Sequence, residues 1–206
     1  MPLVHRHLLV AARRGDPGCA GIARRPGSGP GERRRLRARR QLQLGARRLP
    51  PQRVVYRWLD ELATAGKPLL AICGGHQMLA AHHGARVESV GDEPIAGTEA
   101  VQLTDAGRES GLFDRLGDDP SFHFANGEHV VDLPRGARLL ATHPRLPCAA
   151  LAYPGDWYST QFHPEATAET LAPSWRSIRP ELEHRYAPES AGYRLIENFV
   201  TPCRRR

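Results

Sequence analysis

The apolar residues that follow position 53 are spaced first as in a helix and then as in a strand. Positions 55, 58, 59 and 62 recur at i, i+3, i+4 and i+7, which is typical of one buried helix face. Gly66 and Pro68 predict the end of this helix, because glycine suits a C-cap and proline cannot continue the helix. The apolar run at 69–72 then predicts a short buried strand. This order of helix and strand is typical of an α/β unit.

From residue 86 onward the pattern predicts mainly short strands. Glycine and proline at positions 91, 94 and 97 divide the first of these segments. The predicted strand segments are 86–104, 122–133, 138–142, 149–153 and 157–162. Between them, residues 105–117 predict a loop with one helical turn at 112–113. Leu195, Ile196 and Phe199 share one helical face within residues 189–200, so we expect a closing helix that packs on the sheet.

The first quarter of the chain has a different composition. Residues 1–53 contain 14 of the 28 arginines, no lysine and only two acids, whereas the remainder is mildly acidic. Residues 13–53 have no aromatic residue and no period of 2 or 3.6 that would bury a face. We therefore divide the chain into an anomalous segment, 1–53, a domain, 54–201, and a basic tail, 202–206.

Three interpretations of residues 13–53 compete. The segment could be a basic nucleic-acid-binding arm, although it lacks the aromatic residues used for base stacking. It could be an organellar transit peptide, although it is poor in serine and not amphipathic. We favour the third, a frameshifted or mis-assembled reading frame, because 28 arginines against the single Lys67 indicate GC-rich codons. We accordingly do not expect nucleic acid as a partner.

Several classes of protein are disfavoured by what the sequence lacks. The cysteines at 19, 73, 148 and 203 are scattered, with neither C-x-x-C spacing nor a disulfide framework, so we expect no metal site. No apolar run approaches the roughly 18 residues of a membrane helix. The apolar run at 8–12 is too short for a secretory core. We expect a cytoplasmic protein without a membrane or cofactor requirement.

Cys73 stands directly after the predicted strand and is followed by two glycines and a helical pattern that ends near Gly84. A cysteine at such a strand–turn–helix apex lies near a helix N-terminus, where backbone N–H groups and the helix dipole favour the thiolate. A buried structural cysteine would give the same local pattern. The turn by itself is thus a moderate signal for a nucleophile.

His163 and Glu165 supply what a cysteine nucleophile needs. The aromatic and β-branched run at 157–162 predicts a strand that ends at His163, and Glu165 follows two residues later across Pro164. A nucleophilic cysteine needs a base, and the base needs a carboxylate to fix its orientation. Either residue alone could be an ordinary turn residue. The joint occurrence with Cys73 favours a catalytic triad.

The segments Ala-Ile-Cys73-Gly-Gly-His-Gln77 and Gln161-Phe-His163-Pro-Glu165 closely resemble the motifs of the class I glutamine amidotransferases. The similarity runs in order through roughly residues 54–200. The resemblance implies a flavodoxin-like three-layer α/β fold with a central mixed, mainly parallel sheet. It also implies hydrolysis of the side-chain amide of L-glutamine through a γ-glutamyl thioester, with ammonia passed to a separate synthase subunit or domain.

The resemblance assigns roles residue by residue. Cys73 would be the nucleophile, His163 the base and then the acid, and Glu165 the residue that orients His163. The backbone N–H of Gly74 would contribute to the oxyanion hole, and Gln77 matches a position near the glutamine pocket. His76 receives no role.

The chain departs from the family pattern in two places. Asn126 and Glu128 replace a histidine and an aspartate that are usual in one family triplet. The second oxyanion donor would come from residues 13–53, where no convincing glycine-rich loop is found. Two alternatives therefore stay open: a related Cys-His γ-glutamyl hydrolase, and a catalytically impaired pseudoenzyme or basic-arm binding module.

Overall fold

The computed structural model describes residues 50–204. Five α-helices lie in this part of the chain, together with three short 3-10 helices at Gly111–Phe113, Ala172–Trp175 and Pro180–Arg185. The α-helices are α1 (Pro50–Thr64), α2 (Gly74–His82), α3 (Asp105–Arg108), α4 (Ala168–Leu171) and α5 (Gly192–Arg204). The predicted helices before and after the Cys73 turn are confirmed, and so is the closing helix.

Nine strands are described in residues 50–204. They are β1 (Leu69–Ile72), β2 (Val87–Ser89), β3 (Ile95–Ala100), β4 (Gln102–Leu103), β5 (Ser121–Asn126), β6 (Glu128–Val130), β7 (Arg138–His143), β8 (Leu146–Tyr153) and β9 (Trp157–Thr160). Five form a sheet in the order β1-β9-β8-β7-β4. β2 pairs with β6, and β3 pairs with β5, both antiparallel.

The main sheet is mixed, as the sequence predicted. β1 and β9 run parallel, whereas β9–β8, β8–β7 and β7–β4 are antiparallel. Within the described residues one pair is therefore parallel, rather than the parallel majority that the resemblance implied. The α/β class is confirmed, because helices cover a mixed sheet that contains a parallel pair.

Strand β1, at one end of the described strand order, is buried on both faces, as strands covered by helices on either side usually are. Leu69 and Ala71 face the core formed with α1 and α2, which includes Leu59 and Leu79. Leu70 and Ile72 face the opposite core, which includes residues of β5 and α5. Alternate residues of one short strand thus join the two outer layers to the sheet.

The C-terminus of α1 follows the predicted glycine cap. Gly66 has φ +60°, and its N–H donates to the carbonyl of Ala63, while the N–H of Lys67 donates to the carbonyl of Leu62. These two bonds form a Schellman motif, which satisfies carbonyls left free at the helix end. α1 begins at Pro50, ahead of the Val54 boundary taken from the sequence. Residues 13–49 of the anomalous segment lie outside the described part of the chain.

Gly97 does not divide two strands, as the glycine pattern suggested, but lies inside β3. Its φ is +123°, and a Cβ at this position would lie 2.8 Å from both Cβ and the carbonyl oxygen of Arg185. The glycine is therefore required by the close approach of the 3-10 helix Pro180–Arg185. Residues 105–108, expected as loop, form α3, because the Thr104 side chain accepts the Gly107 N–H as an N-cap.

Candidate active site

Cys73 lies at the sharp turn between β1 and α2. It has φ +50° and ψ −107°, an unusual backbone conformation for a residue with a side chain. Its N–H donates to the carbonyl of Thr160 at 2.8 Å, and its carbonyl accepts from the N–H of Gln77 at 3.0 Å. Both backbone groups are thus bonded on either side of the turn. Strained residues that the surroundings hold in place often lie at functional sites.

The parallel pairing of β1 with β9 explains how two distant motifs meet. Ile72 lies opposite Thr160 at the carboxyl ends of the two strands, so the residues that follow both strands emerge at the same edge of the sheet. Cys73 follows β1, and Gln161 and His163 follow β9. The N–H of His163 donates to the carbonyl of His123 in β5 at 2.8 Å. This hydrogen bond fixes the loop after β9 against β5.

The three predicted triad residues come together. His163 is buried, and its Nδ1 donates to Oε1 of Glu165 at 2.8 Å. His163 also makes a side-chain hydrogen bond with Cys73. Because Glu165 occupies Nδ1, the Nε2 atom is the ring nitrogen left for the thiol. The site thus holds together a nucleophile, a base and an orienting carboxylate, the three groups that covalent catalysis of this kind requires.

The electrostatics of the site favour a charged histidine. Burial favours the neutral ring, but hydrogen bonds to Cys73 and Glu165, and the negative charges of both, outweigh it and raise the pKa of His163 to about 10. An imidazolium next to the sulfur in turn stabilises a thiolate. The site therefore places an imidazole with a raised pKa beside the sulfur and holds it with a carboxylate.

Gly74 is the first residue of α2, directly after Cys73. The first N–H groups of a helix have no partner within the helix, so they are available to a developing negative charge. The oxyanion role of Gly74 stays a prediction that fits this position. Most of the segment expected to carry the second donor, residues 13–49, lies outside the described part of the chain.

Gln77 is buried at the first turn of α2, where its side chain bonds protein groups. Its Nε2 donates to the carbonyl of Glu128 at 2.9 Å and to Oε1 of Gln161 at 3.1 Å. Asn126 donates from Nδ2 to the same Glu128 carbonyl at 3.0 Å. The predicted contact between Gln77 and a glutamine substrate stays a prediction. Because Nε2 of Gln77 is bonded to protein groups, we expect this contact to use the other polar atom of its side chain, Oε1.

Gln161 was not singled out from the sequence, although it belongs to the quoted motif. Its side chain is fully buried, and its Nε2 donates to Sγ of Cys73 at 3.6 Å. The available signal was a polar residue directly after β9, a strand in which all residues but Tyr158 are buried. Such a residue must find partners in the core, and here one partner is the predicted nucleophile.

His76, to which the sequence gave no role, is fully buried behind the turn. Its Nδ1 lies 2.8 Å from Oγ of Ser159 in β9. Burial lowers the pKa of His76 to about 3, partly offset by a hydrogen bond with the backbone of Cys148. The ring is therefore neutral near pH 7, and its observed contact is within the core.

The described residues contain no cluster of three or more histidine, cysteine or acidic side chains that could hold a metal ion. No helix between residues 50 and 204 combines the length and the apolar character needed to cross a membrane.

Comparison with known families agrees with the site. The family model described as "Glutamine amidotransferase class-I" matches residues 50–176. Because this match covers more than half of the chain, the chain belongs to the class-I glutamine amidotransferase family.

Among curated proteins, the chain is similar to the GMP synthase [glutamine-hydrolyzing] of Stenotrophomonas maltophilia (strain K279a), with 34% identity over 111 residues. It is also similar to the protein of the same name from Xanthomonas axonopodis pv. citri (strain 306), with 33% identity over 110 residues. Each match covers 52% of this chain and 21% of the relative. The chain thus spans about a fifth of the length of these relatives.

Solved structures show the same fold. A glutamine amidotransferase from Thermotoga maritima superposes with a TM-score of 0.59 and 22% identity, covering 75% of this chain and 70% of that one. A glutamine amido transferase from Methylobacillus flagellatus gives a TM-score of 0.54 and 20% identity, covering 76% and 66%. At these identities the likeness concerns the fold, which confirms the flavodoxin-like α/β class inferred from the sequence.

Proposed function

We propose that the chain is a glutaminase that hydrolyses the side-chain amide of L-glutamine and supplies the ammonia to a separate acceptor. One observation carries the proposal. In a chain of the class-I family, Cys73 adopts a strained turn and hydrogen-bonds to a histidine that Glu165 holds.

The first half of the reaction forms a thioester. The Cys73 thiolate attacks the carboxamide carbon of glutamine, and the carbonyl π electrons move onto oxygen. The Gly74 N–H faces this oxyanion. Collapse of the tetrahedral intermediate breaks the C–N bond, and His163 gives its proton to the departing nitrogen, so that ammonia leaves. A γ-glutamyl thioester remains on Cys73.

The second half returns the enzyme to its starting state. Neutral His163 takes a proton from water as the water oxygen attacks the thioester carbon. The C–S bond then breaks, glutamate leaves, and the thiolate–imidazolium pair is restored. Glu165 supports both halves, because a carboxylate on Nδ1 stabilises the charged ring and fixes the direction of Nε2.

The destination of the ammonia is inferred from the relatives. The name of these relatives combines a synthase with glutamine hydrolysis, and the matched stretch is about a fifth of their length. We infer that the ammonia-accepting site belongs to a synthase subunit or domain outside the part described here. In this proposal the described domain supplies ammonia and a partner consumes it.

Covalent labelling tests the proposal. The chain is treated with a diazo-ketone analogue of glutamine, and the adduct is located by peptide mapping and mass spectrometry. We expect one adduct, at Cys73, and none in the Cys73→Ala variant. Cys148 is an internal control, because burial raises the pKa of its thiol to about 11 and suppresses its reactivity.

Competition in the same assay separates the substrate classes. Free L-glutamine should protect Cys73 from the analogue, whereas protection by γ-glutamyl peptides alone would favour the hydrolase alternative. Absence of the adduct in a sample that still unfolds cooperatively would contradict the proposal and favour the impaired pseudoenzyme.

A further inference from the structure

A buried amide, which the proposed mechanism does not use, contacts the nucleophile. Gln161 is the first residue after β9, and its Nε2 donates to Sγ of Cys73 at 3.6 Å. Sulfur is a weak hydrogen-bond acceptor as a thiol, but a thiolate is a charged acceptor and binds N–H groups more strongly. The hydrogen bond from Gln161 is therefore stronger when Cys73 is a thiolate than when it is a thiol.

The orientation of this amide is fixed by its other end. Oε1 of Gln161 accepts a hydrogen bond from Nε2 of Gln77 at 3.1 Å, and the same Nε2 donates to the Glu128 carbonyl at 2.9 Å. Gln77 thereby uses both of its amide hydrogens. With its oxygen bonded in this way, Gln161 can only present its NH₂ group to the sulfur.

The relay is anchored at the junction of β5 and β6. The Glu128 carbonyl accepts from Gln77 and also from Nδ2 of Asn126. Gln77, Asn126 and Gln161 are all buried. A buried amide that loses its hydrogen-bond partner destabilises the folded state, so the network favours one arrangement.

We propose that Gln161 is a positioning residue, which orients the Cys73 sulfur and stabilises its thiolate, and that Gln77 acts through Gln161. The inference rests on the proposed function in that Cys73 is taken as the nucleophile. A neutral amide does not titrate, so its contribution persists at any pH at which the fold is intact. His163 supplies the second, charged hydrogen bond.

The other ionisable groups around the thiol are few. His163 and Glu165 face it from the loop after β9, and His123 of β5 interacts with His163 from behind. Glu169 of α4 interacts with His123 at the surface. His76 lies in α2, the helix that follows Cys73, and is neutral near pH 7. None of these residues contacts Gln161 in the hydrogen bonds described above, so a change at Gln161 can be separated from a change at His163.

The test is a thiolate titration that needs no substrate. Thiolate absorbance near 240 nm is followed against pH, and the same curve for a Cys73→Ala version of each variant is subtracted. Gln161→Met keeps the length of the side chain but removes the donor. We expect the thiolate midpoint, the pH at which half of Cys73 is ionised, to rise by about one unit in this variant. At a fixed pH below the midpoint, this rise means about tenfold less thiolate. Gln161→Glu, which places a negative charge near the sulfur, should raise the midpoint further.

Ser159→Ala is the matched control. Ser159 lies in β9, two residues before Gln161, and is equally buried. Ser159→Ala loses the buried hydrogen bond to His76, and none of the hydrogen bonds described joins Ser159 to Cys73. Its midpoint should equal that of the unaltered chain. An unchanged midpoint in folded Gln161→Met, or a lowered one in Gln161→Glu, would overturn the proposal. Failure of glutamine-analogue labelling would instead count against the proposed function alone.

A double-mutant comparison tests the relay. Gln77→Met should also raise the thiolate midpoint, by less than Gln161→Met, because it only frees the Gln161 amide to turn. Added to Gln161→Met, it should have no further effect. Two fully additive shifts would show that Gln77 does not act through Gln161. If Gln161→Met does not unfold cooperatively, Gln77→Met is measured alone, and an unchanged thiolate midpoint in folded Gln77→Met would overturn the relay.

Discussion

The side chain of Glu165 holds His163 without touching the sulfur in the hydrogen bonds described. Its Oε1 accepts from Nδ1, and its charge is among the causes that raise the pKa of His163. The imidazolium is needed to protonate the departing nitrogen, so the upper pH limit of activity follows the pKa of His163. The carboxylate thus controls the pH range of the reaction through its neighbour.

Glu165→Gln should therefore lower the glutaminase rate by about 10- to 100-fold and move the alkaline limb of its pH profile to lower pH. The measurement is ammonia release against pH at saturating glutamine. Glu169→Gln is the control, since Glu169 is an exposed acid on the same segment. An alkaline limb at the same pH in Glu165→Gln would contradict this role.

His76 makes a second, independent pH prediction. Burial lowers its folded-state pKa to about 3, whereas the unfolded chain binds the proton near pH 6.5. A depressed pKa means that the stability is present above pH 6.5 and is lost as the pH falls towards 3. At pH 5 the loss amounts to about 2 kcal/mol.

His76→Gln should reduce this acid sensitivity, because glutamine bears no titrating group and can still bond Ser159. We expect the drop in unfolding free energy between pH 8 and pH 5 to shrink by about 2 kcal/mol, measured by urea unfolding at both values. His184→Gln, at an exposed histidine, should leave the drop as it is. An equal drop in His76→Gln and the unaltered chain would refute the prediction.

Among the secondary-structure elements, the pair β1–β9 gives the site its geometry. All residues of the two strands except Tyr158 are buried, and the parallel register sets the turn after β1 beside the loop after β9. Helix α5 also constrains the geometry of the site, because its first residue lies against the loop after β9. A Cβ added to Gly192, the first residue of α5, would lie 2.4 Å from the carbonyl oxygen of Pro164. Pro164 separates His163 from Glu165, so the helix packs directly on the link between base and carboxylate.

Gly192→Ala should therefore act on catalysis from outside the site. The Pro164 backbone has to move, which disturbs the His163–Glu165 hydrogen bond, and we expect at least a tenfold slower labelling of Cys73 by the diazo-ketone. Gly111→Ala is the matched control, since a Cβ there meets no atom within 4 Å. Labelling at the unaltered rate in Gly192→Ala would show that α5 does not constrain the pair.

The same elements show what sequence patterns can and cannot predict. β1, the Cys73 turn and the His163 loop follow from apolar spacing and short motifs, which are local. Gly97 was interpreted wrongly, because the backbone of Arg185 that requires the glycine lies far along the chain. The Gln161 network joins segments 51, 84 and 88 residues apart, and no local pattern encodes such contacts.

At the scale of the whole molecule, β1 joins two of the three buried apolar clusters in the described residues. Leu59 and Leu79 lie in one core and Phe199 in the other, with β1 contributing alternate residues to each. The site lies at the edge of the sheet where β1 and β9 end. Because Cys73 follows β1 directly, a segment that packs on this strand should alter both stability and catalysis.

The anomalous segment can be tested on this basis. Residues 13–53 have no apolar period with which to bury a face, so under the frameshift hypothesis they add little to either core. Deletion of residues 2–49 should then change the unfolding temperature by less than about 2 °C, which for a domain of this size is under 1 kcal/mol. The diazo-ketone should label Cys73 at the unaltered rate.

Loss of the cooperative transition on deletion would contradict the hypothesis, because only a segment that packs natively can stabilise the fold to that extent. A stable deletion variant with slower labelling would point to a contribution to the site itself, as expected of a second oxyanion donor. Resequencing of the coding DNA completes the test. An uninterrupted frame through residues 13–53 would rule out the frameshift, and the arginines would then have to be explained as part of the natural protein.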